Sequence, residues 1–114
     1  QYRFPLELGN QRPPTAQWTI TGGGASVVSN QVSKVKVSAV TFGKVTDFGI
    51  ADVNNMGAAM APAACDTINA HLKNLNRTVD DYDLIISGDL SYYGSDMLVK
   101  LLKEDGIDIS NKYK

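Results

Sequence analysis

One cysteine and one histidine stand among the 114 residues. A lone thiol forms no internal disulfide, and Cys65 with His71 falls short of a zinc ligand set. Neither sign of charge is in useful excess: 11 Lys+Arg oppose 12 Asp+Glu for a formal net charge of −1. A nucleic-acid-binding domain normally carries clustered positive charge, so that class of partner is excluded. No window approaches the roughly 18 consecutive apolar residues of a membrane-spanning helix, and no secretory apolar stretch opens the sequence. With 43% apolar and 20% charged residues, the chain is neither disordered nor collagen-like. What is there is one domain's length, enough to close a single modest core. Neither end carries low complexity or a charge block. Gln1 and Lys114 therefore read as cut points, and the expectation is a piece of a longer protein.

Turn chemistry and periodicity then divide the chain. Pro5, Gly9, Asn10, Pro13 and Pro14 predict an irregular arm over 1–16. A short strand is expected over 17–20. Gly22, Gly23 and Gly24 follow, read as tight backbone packing ahead of a second strand at 25–29. Over 32–45, Val35, Val37 and Ala39 alternate with Lys34, Lys36 and Ser38, the pattern of a long strand with one wet face. The pattern lapses into a loop over 46–59. A helix is expected from about 60 to 75, with Pro62 in its first turn and Met60, Ala64, Ile68, Leu72 and Leu75 facing inward. Asn74 and Asn76 are its stop residues. The run 82–87 contains Leu84-Ile85-Ile86 without alternation, which suits a parallel strand covered by helices on both faces. A second helix is expected over 96–105, capped by Ser95 and ended by Gly106, with Met97, Leu98, Leu101 and Leu102 inward. The order strand, strand, strand, helix, strand, helix predicts an α/β fold with a mixed sheet and flanking helices.

Few residues carry a chemical signal. The glycine run lacks the Gly-Lys-Ser/Thr and following helix of a phosphate loop. Cys65 and His71 lie six residues apart on one expected helix, so they point about 120° apart and make no nucleophile–base pair. Cys65 reads as a small core residue, and His71 as a rim residue near the helix's C-terminal end. Asn76-Arg77-Thr78 matches a glycosylation acceptor, but with no sign of secretion it reads as a helix stop and a turn. Met56 and Met60 read either as adaptable core filler or as the wall of a cavity for a flat ligand. Asp89 follows the carboxyl end of the expected buried strand, where α/β sheets place ligands, and Gly88 leaves room beside it. A turn or capping role for the same carboxylate is the competing reading. Arg3, between Tyr2 and Phe4, is the cation best suited to grip a carboxylate through both nitrogens. Arg12, Lys44, Asp47 and Asp52 read as solvated loop charges.

Several stretches resemble known families. Met56-Gly57 through Ala61-Pro62-Ala63, then a helix, then Asp81-Tyr82-Asp83-Leu84-Ile85 resembles the opening of the second half of the thiolase superfamily. Thr21-Gly22-Gly23-Gly24-Ala25-Ser26-Val27-Val28 resembles the closing strands of its first half. More specifically, Gln1-Tyr2-Arg3-Phe4-Pro5, the runs 43–50 and 56–68, and Asn76 through Ile85 with Ser87-Gly88-Asp89-Leu90 resemble the stage V sporulation protein AD family, as does Leu101 through Gly106. The resemblance covers the whole chain and implies the middle third of such a protein. It implies part of a thiolase-like fold, with 1–50 forming an arm and closing strands of the first half. Residues 51–114 would supply the loop, helix, strand and helix that open the second.

In function, the resemblance implies a bacterial sporulation protein of the forespore or spore, peripheral to the inner membrane. It would bind dipicolinic acid, as the free acid or its calcium chelate. With other SpoVA proteins it would support uptake of that ligand into the spore core, with no cofactor and no nucleic acid. Gly88 stands where thiolase-fold enzymes carry a catalytic His or Asn, which implies binding without catalysis and no catalytic residue in 1–114. The expected ligand set is Arg3, Met56, Gly57, Met60, Gly88 and Asp89. The competing reading is an acyl-transfer enzyme whose nucleophile lies outside these residues, and a third is a scaffold with an inactive cavity. Exposed apolar edges around the strand at 84–86 further predict a homo-oligomer.

Overall fold

The computed structural model describes residues 14–17 and 22–114. Two α-helices dominate them: α1 (Met56–Leu75) and α2 (Ser91–Glu104), with a short 3₁₀ turn at Val79–Asp81 between. Helix α1 starts at Asn55, whose side-chain oxygen accepts a hydrogen bond from the Ala58 amide at 3.2 Å. This satisfies one of the first-turn amides that a helix leaves without partners. The helix ends at Asn76, in the left-handed region at φ 52°, where the Arg77 amide returns to the Leu72 carbonyl at 2.9 Å. Helix α2 stops before Gly106 (φ 80°), whose conformation costs a glycine little.

Helix α1 begins one turn earlier than expected, so Pro62 lies inside it and not in its first turn. The Asn55 cap and a close crossing of the two helices together outweigh the preference of proline for a helix start. At that crossing, a Cβ on Gly57 would sit 1.9 Å from the Leu90 carbonyl oxygen, and one on Gly94 would sit 2.7 Å from the Gly57 Cα. The two helices touch backbone to backbone near their N-terminal ends, which only glycine at both positions permits. The same approach sets which face of α1 is covered. Ala58, Ala61, Cys65 and Leu72 are buried, while Met60, expected inward, is 37% exposed. Ala61, Cys65, Leu90, Leu98, Leu102 and Ile109 form the core, and Leu98, Leu102 and Ile109 are its largest fully enclosed side chains. Each contributes about 2 kcal/mol by leaving water. Leu98 and Leu102 occupy the inward positions read from the sequence. Helix α2, however, starts at Ser91 instead of 96.

The expected mixed α/β sheet is not the fold of the described residues, and the thiolase-like fold that the resemblance implied is corrected with it. Among these residues there is no strand, only one isolated parallel bridge between Ile85 and Tyr113. It is closed by the Ile85 amide to the Lys112 carbonyl at 2.8 Å and the Lys114 amide to the Ile85 carbonyl at 3.0 Å. Ile85 packs on the core, but Leu84 is 46% and Ile86 71% exposed, so the run has one covered face where two were expected. Residues 22–50 form no regular secondary structure, bend at 30–31 and 34–35, and make no backbone–backbone hydrogen bond among the described residues. An alternating sequence supplies the side-chain pattern of a strand, but a strand exists only through a paired neighbour. The reading of Gly22, Gly23 and Gly24 as tight packing is also overturned: a Cβ on any of them would meet nothing within 4 Å. Residues 18–20 of the expected strand at 17–20 and residues 1–13 of the arm at 1–16 fall outside the described residues.

Residues 41–44 nevertheless touch α1. Thr41 contacts His71, Gly43 lies against Thr67, and Lys44 pairs with Asp66 at 2.7 Å. The segment therefore runs antiparallel to the helix, two extended residues (about 6.6 Å) matching four helical ones (about 6 Å).

Candidate functional site

The expected ligand residues gather only in part. Arg3 lies outside the described residues. Gly57 is buried and wholly occupied by the helix crossing, with no side open to a ligand. Met56 and Met60 are both more than a third exposed on the first turns of α1. Gln17 links this end of α1 to the turn before α2: its amide nitrogen donates to the Met60 sulfur at 3.5 Å and to the Asp89 carbonyl. The Asp89 carboxylate accepts the Ser91 amide at 2.8 Å, the turn role that competed with a ligand role in the sequence. That contact helps hold Ser91 at φ 61°, a left-handed conformation that a residue with a Cβ adopts at a cost of about 1–2 kcal/mol. Gly88 faces open space.

Two shallow hollows flank Gln17 and share Ala16. One, of about 440 Å³, includes Met56, Val53 and Asn54; the other, of about 370 Å³, includes Asp89, Ser91 and Tyr92. Both linings mix polar and apolar residues, and Met56 and Asp89 line separate hollows.

A larger groove of about 900 Å³ lies elsewhere, between the C-terminal half of α1 and the turn after α2. Its carboxylates, among them Asp66, Asp105 and Asp108, outnumber Lys73 and Arg77, a poor balance for a dianion. Hydrogen bonds from the Ser110 hydroxyl and amide hold the Asp108 carboxyl below its ordinary range. Nothing in the sequence pattern pointed to this groove, because it depends on where the chain after Gly106 returns. Among the described residues, no group of three or more His, Cys, Asp or Glu side chains is placed to hold a metal ion.

The nucleophile candidates are disposed of by geometry. Cys65 is in the core, near the Asp105 carboxylate at 3.8 Å and the Asn69 amide at 3.6 Å. Burial, and then the adjacent Asp105 charge, pushes its thiol up to about 11, so it holds its proton at neutral pH. His71 faces another way. Its Nδ1 lies 2.7 Å from the Thr41 hydroxyl and its Nε2 2.8 Å from the Tyr82 hydroxyl, which also accepts from Arg77 at 3.2 Å. The sequence placed His71 at a rim but gave no sign of this chain of contacts, since its partners are thirty residues upstream and eleven downstream. Asp47 and Asp52, read as solvated, each close a local turn by accepting the amide two residues on.

Comparison with known proteins adds an independent line. The family model for stage V sporulation protein AD matches residues 1–114. The stage V sporulation protein AD of Bacillus subtilis (strain 168) is 52% identical over 113 residues, covering 99% of this chain and 33% of that protein. The chain thus spans about a third of the length of that relative.

Proposed function

Because this chain belongs to the stage V sporulation protein AD family, we propose that it is part of a sporulation protein that binds dipicolinic acid without transforming it. Within the SpoVA assembly, that protein supports uptake of the ligand into the developing spore. The observation that carries the reading is the 52% identity to a protein named for sporulation across nearly the whole chain. Within these residues, the one thiol is in the core and protonated and the one imidazole is taken up by Thr41 and Tyr82, so neither is placed to act as a nucleophile or its base.

A flat dianion asks for cations or amide donors at its carboxylates and apolar surface against its ring. In the proposed arrangement Met56 and Met60 face the ring and Arg3 meets a carboxylate. Gly88 leaves space, and Asp89 shapes the turn. The remainder of the full-length protein completes the cation set. The proposed location is the forespore, peripheral to its inner membrane and alongside other SpoVA proteins. No described helix is long and apolar enough to cross a membrane. Self-association is part of the proposal, since Val32, Val35, Phe42 and Val45 are each at least 85% exposed.

Titration calorimetry of the full-length protein with dipicolinate tests the reading, with benzoate as the control. A saturable heat and a rise in melting temperature with dipicolinate alone are expected. Neither effect at millimolar ligand would reject it.

A further inference from the structure

One side chain links the described parts of the proposed ligand region. Gln17 lies on the short segment 14–17, which is fixed to α2 where the Tyr93 amide donates to the Pro14 carbonyl at 3.0 Å. That amide belongs to the first turn of α2, where a helix supplies no partner of its own. From this anchor the Gln17 side chain spans to both helix starts. Its Nε2 carries two hydrogens. One goes to the Asp89 carbonyl in the turn before α2, the other to the Met60 sulfur on α1 at 3.5 Å. The two acceptors are unequal, since a backbone carbonyl accepts strongly and a thioether only weakly. The first contact fixes the amide. The second holds an N–H that an oxygen within reach would draw away from the sulfur.

The surroundings decide which oxygen that is. The hollow of about 440 Å³ beside Gln17 is lined by Thr15, Ala16, Gln17, Val53, Asn54 and Met56, with no charged side chain among these described residues. The neighbouring hollow includes Asp89, and the groove of about 900 Å³ includes four aspartates. A carboxylate entering either of those meets like charge. At Gln17 it meets neutral groups, and the Asp89 carboxylate is turned to the Ser91 amide at 2.8 Å. We propose that Gln17 is a specificity-determining contact whose side-chain amide binds one carboxylate of dipicolinate. The N–H now held by Met60 turns to the ligand, while the Asp89 carbonyl keeps the other. A hydrogen bond to a carboxylate is charge-assisted and roughly twice as strong as one between neutral groups, so the exchange favours the ligand. This role rests on dipicolinate being the ligand, as proposed above.

Calorimetry of the full-length protein with dipicolinate, numbered as in this chain, tests Gln17 through three replacements. Q17L keeps the bulk and donates nothing, and is expected to weaken binding about tenfold, the usual worth of a hydrogen bond to a charged group. Q17E also carries like charge and should weaken it several-fold further. Q17K donates with a full positive charge and should bind several-fold more tightly than the parent, a gain that a merely structural link to Asp89 would not give. A readout on the parent protein needs no altered Gln17. With ¹³C-methyl methionine, assigned by single leucine substitutions, the Met60 signal should shift in step with saturation as the sulfur loses its donor. Met97, packed against the core, should stay in place. Binding by the parent with Q17L equal to it, with Q17K no tighter, or with the Met60 signal unmoved at saturation would overturn this role alone. No binding by the parent would reject the ligand reading and this role together.

Discussion

Residues 56–113 and residues 22–50 are built from similarly apolar sequence and reach opposite ends of the burial scale. In the first, Leu98, Leu102 and Ile109 are fully enclosed between two helices. In the second, Val27, Val32, Phe42 and Val45 are each more than 90% exposed. The difference lies in where each finds its hydrogen bonds. A helix satisfies its amides within its own sequence and needs a neighbour only for its apolar face. An extended segment satisfies none of its amides alone. Residues 22–50 have the side-chain pattern of a strand, but no described neighbour pairs with it.

Substitutions at the helix crossing should disturb the first region most. Gly57→Ala is expected to cost about 3 kcal/mol or more, because the added carbon meets the rigid Leu90 carbonyl at 1.9 Å. Urea unfolding would read this as a lowered midpoint. Leu102→Ala should cost about 2–5 kcal/mol by the same measurement through loss of contact and a residual cavity. A comparable cost for Val37→Ser in the second region would erase the contrast, since Val37 is 74% exposed. Its expected effect is within about 0.5 kcal/mol.

Cys65 gives a subtler probe of the packed region. Its folded pKa of about 11 lies above the ordinary 9.0, chiefly through burial and then Asp105. Below pH 9 both folded and unfolded thiols are protonated, and stability owes nothing to the difference. As pH rises from about 9 toward about 11, the unfolded thiol ionises while the folded one resists, so stability falls across that window. Unfolding curves of the protein and of C65A, compared over this range, should diverge with the larger loss in the parent chain. Parallel curves would place the thiol in water.

What could be read in the sequence was whatever depends on a few neighbouring residues. Asn76 and Gly106 stop their helices through local backbone chemistry, and Leu98 and Leu102 follow the helical repeat to the core. The start of α1 and its buried face were not legible, because they follow from the contact of Gly57 with Leu90 and Gly94, more than thirty residues away. The strands failed for the same reason: Leu84-Ile85-Ile86 is apolar enough for a two-sided sheet, but burial is decided by neighbours that the run itself does not encode. In the candidate site, the turn role of Asp89 was one of two readings its position allowed. The Thr41–His71–Tyr82 contacts had no signature in spacing, since a loop and a helix bring them together.

Amide hydrogen exchange on the 114-residue chain tests this division of the molecule most directly. The account predicts strong protection in the middle of α1 and α2 and a marked slowing at Ile85, with residues 22–45 exchanging at nearly unstructured rates. Protection across 25–45 equal to that of the helices would contradict it, since those amides would then have partners the two-helix arrangement does not provide.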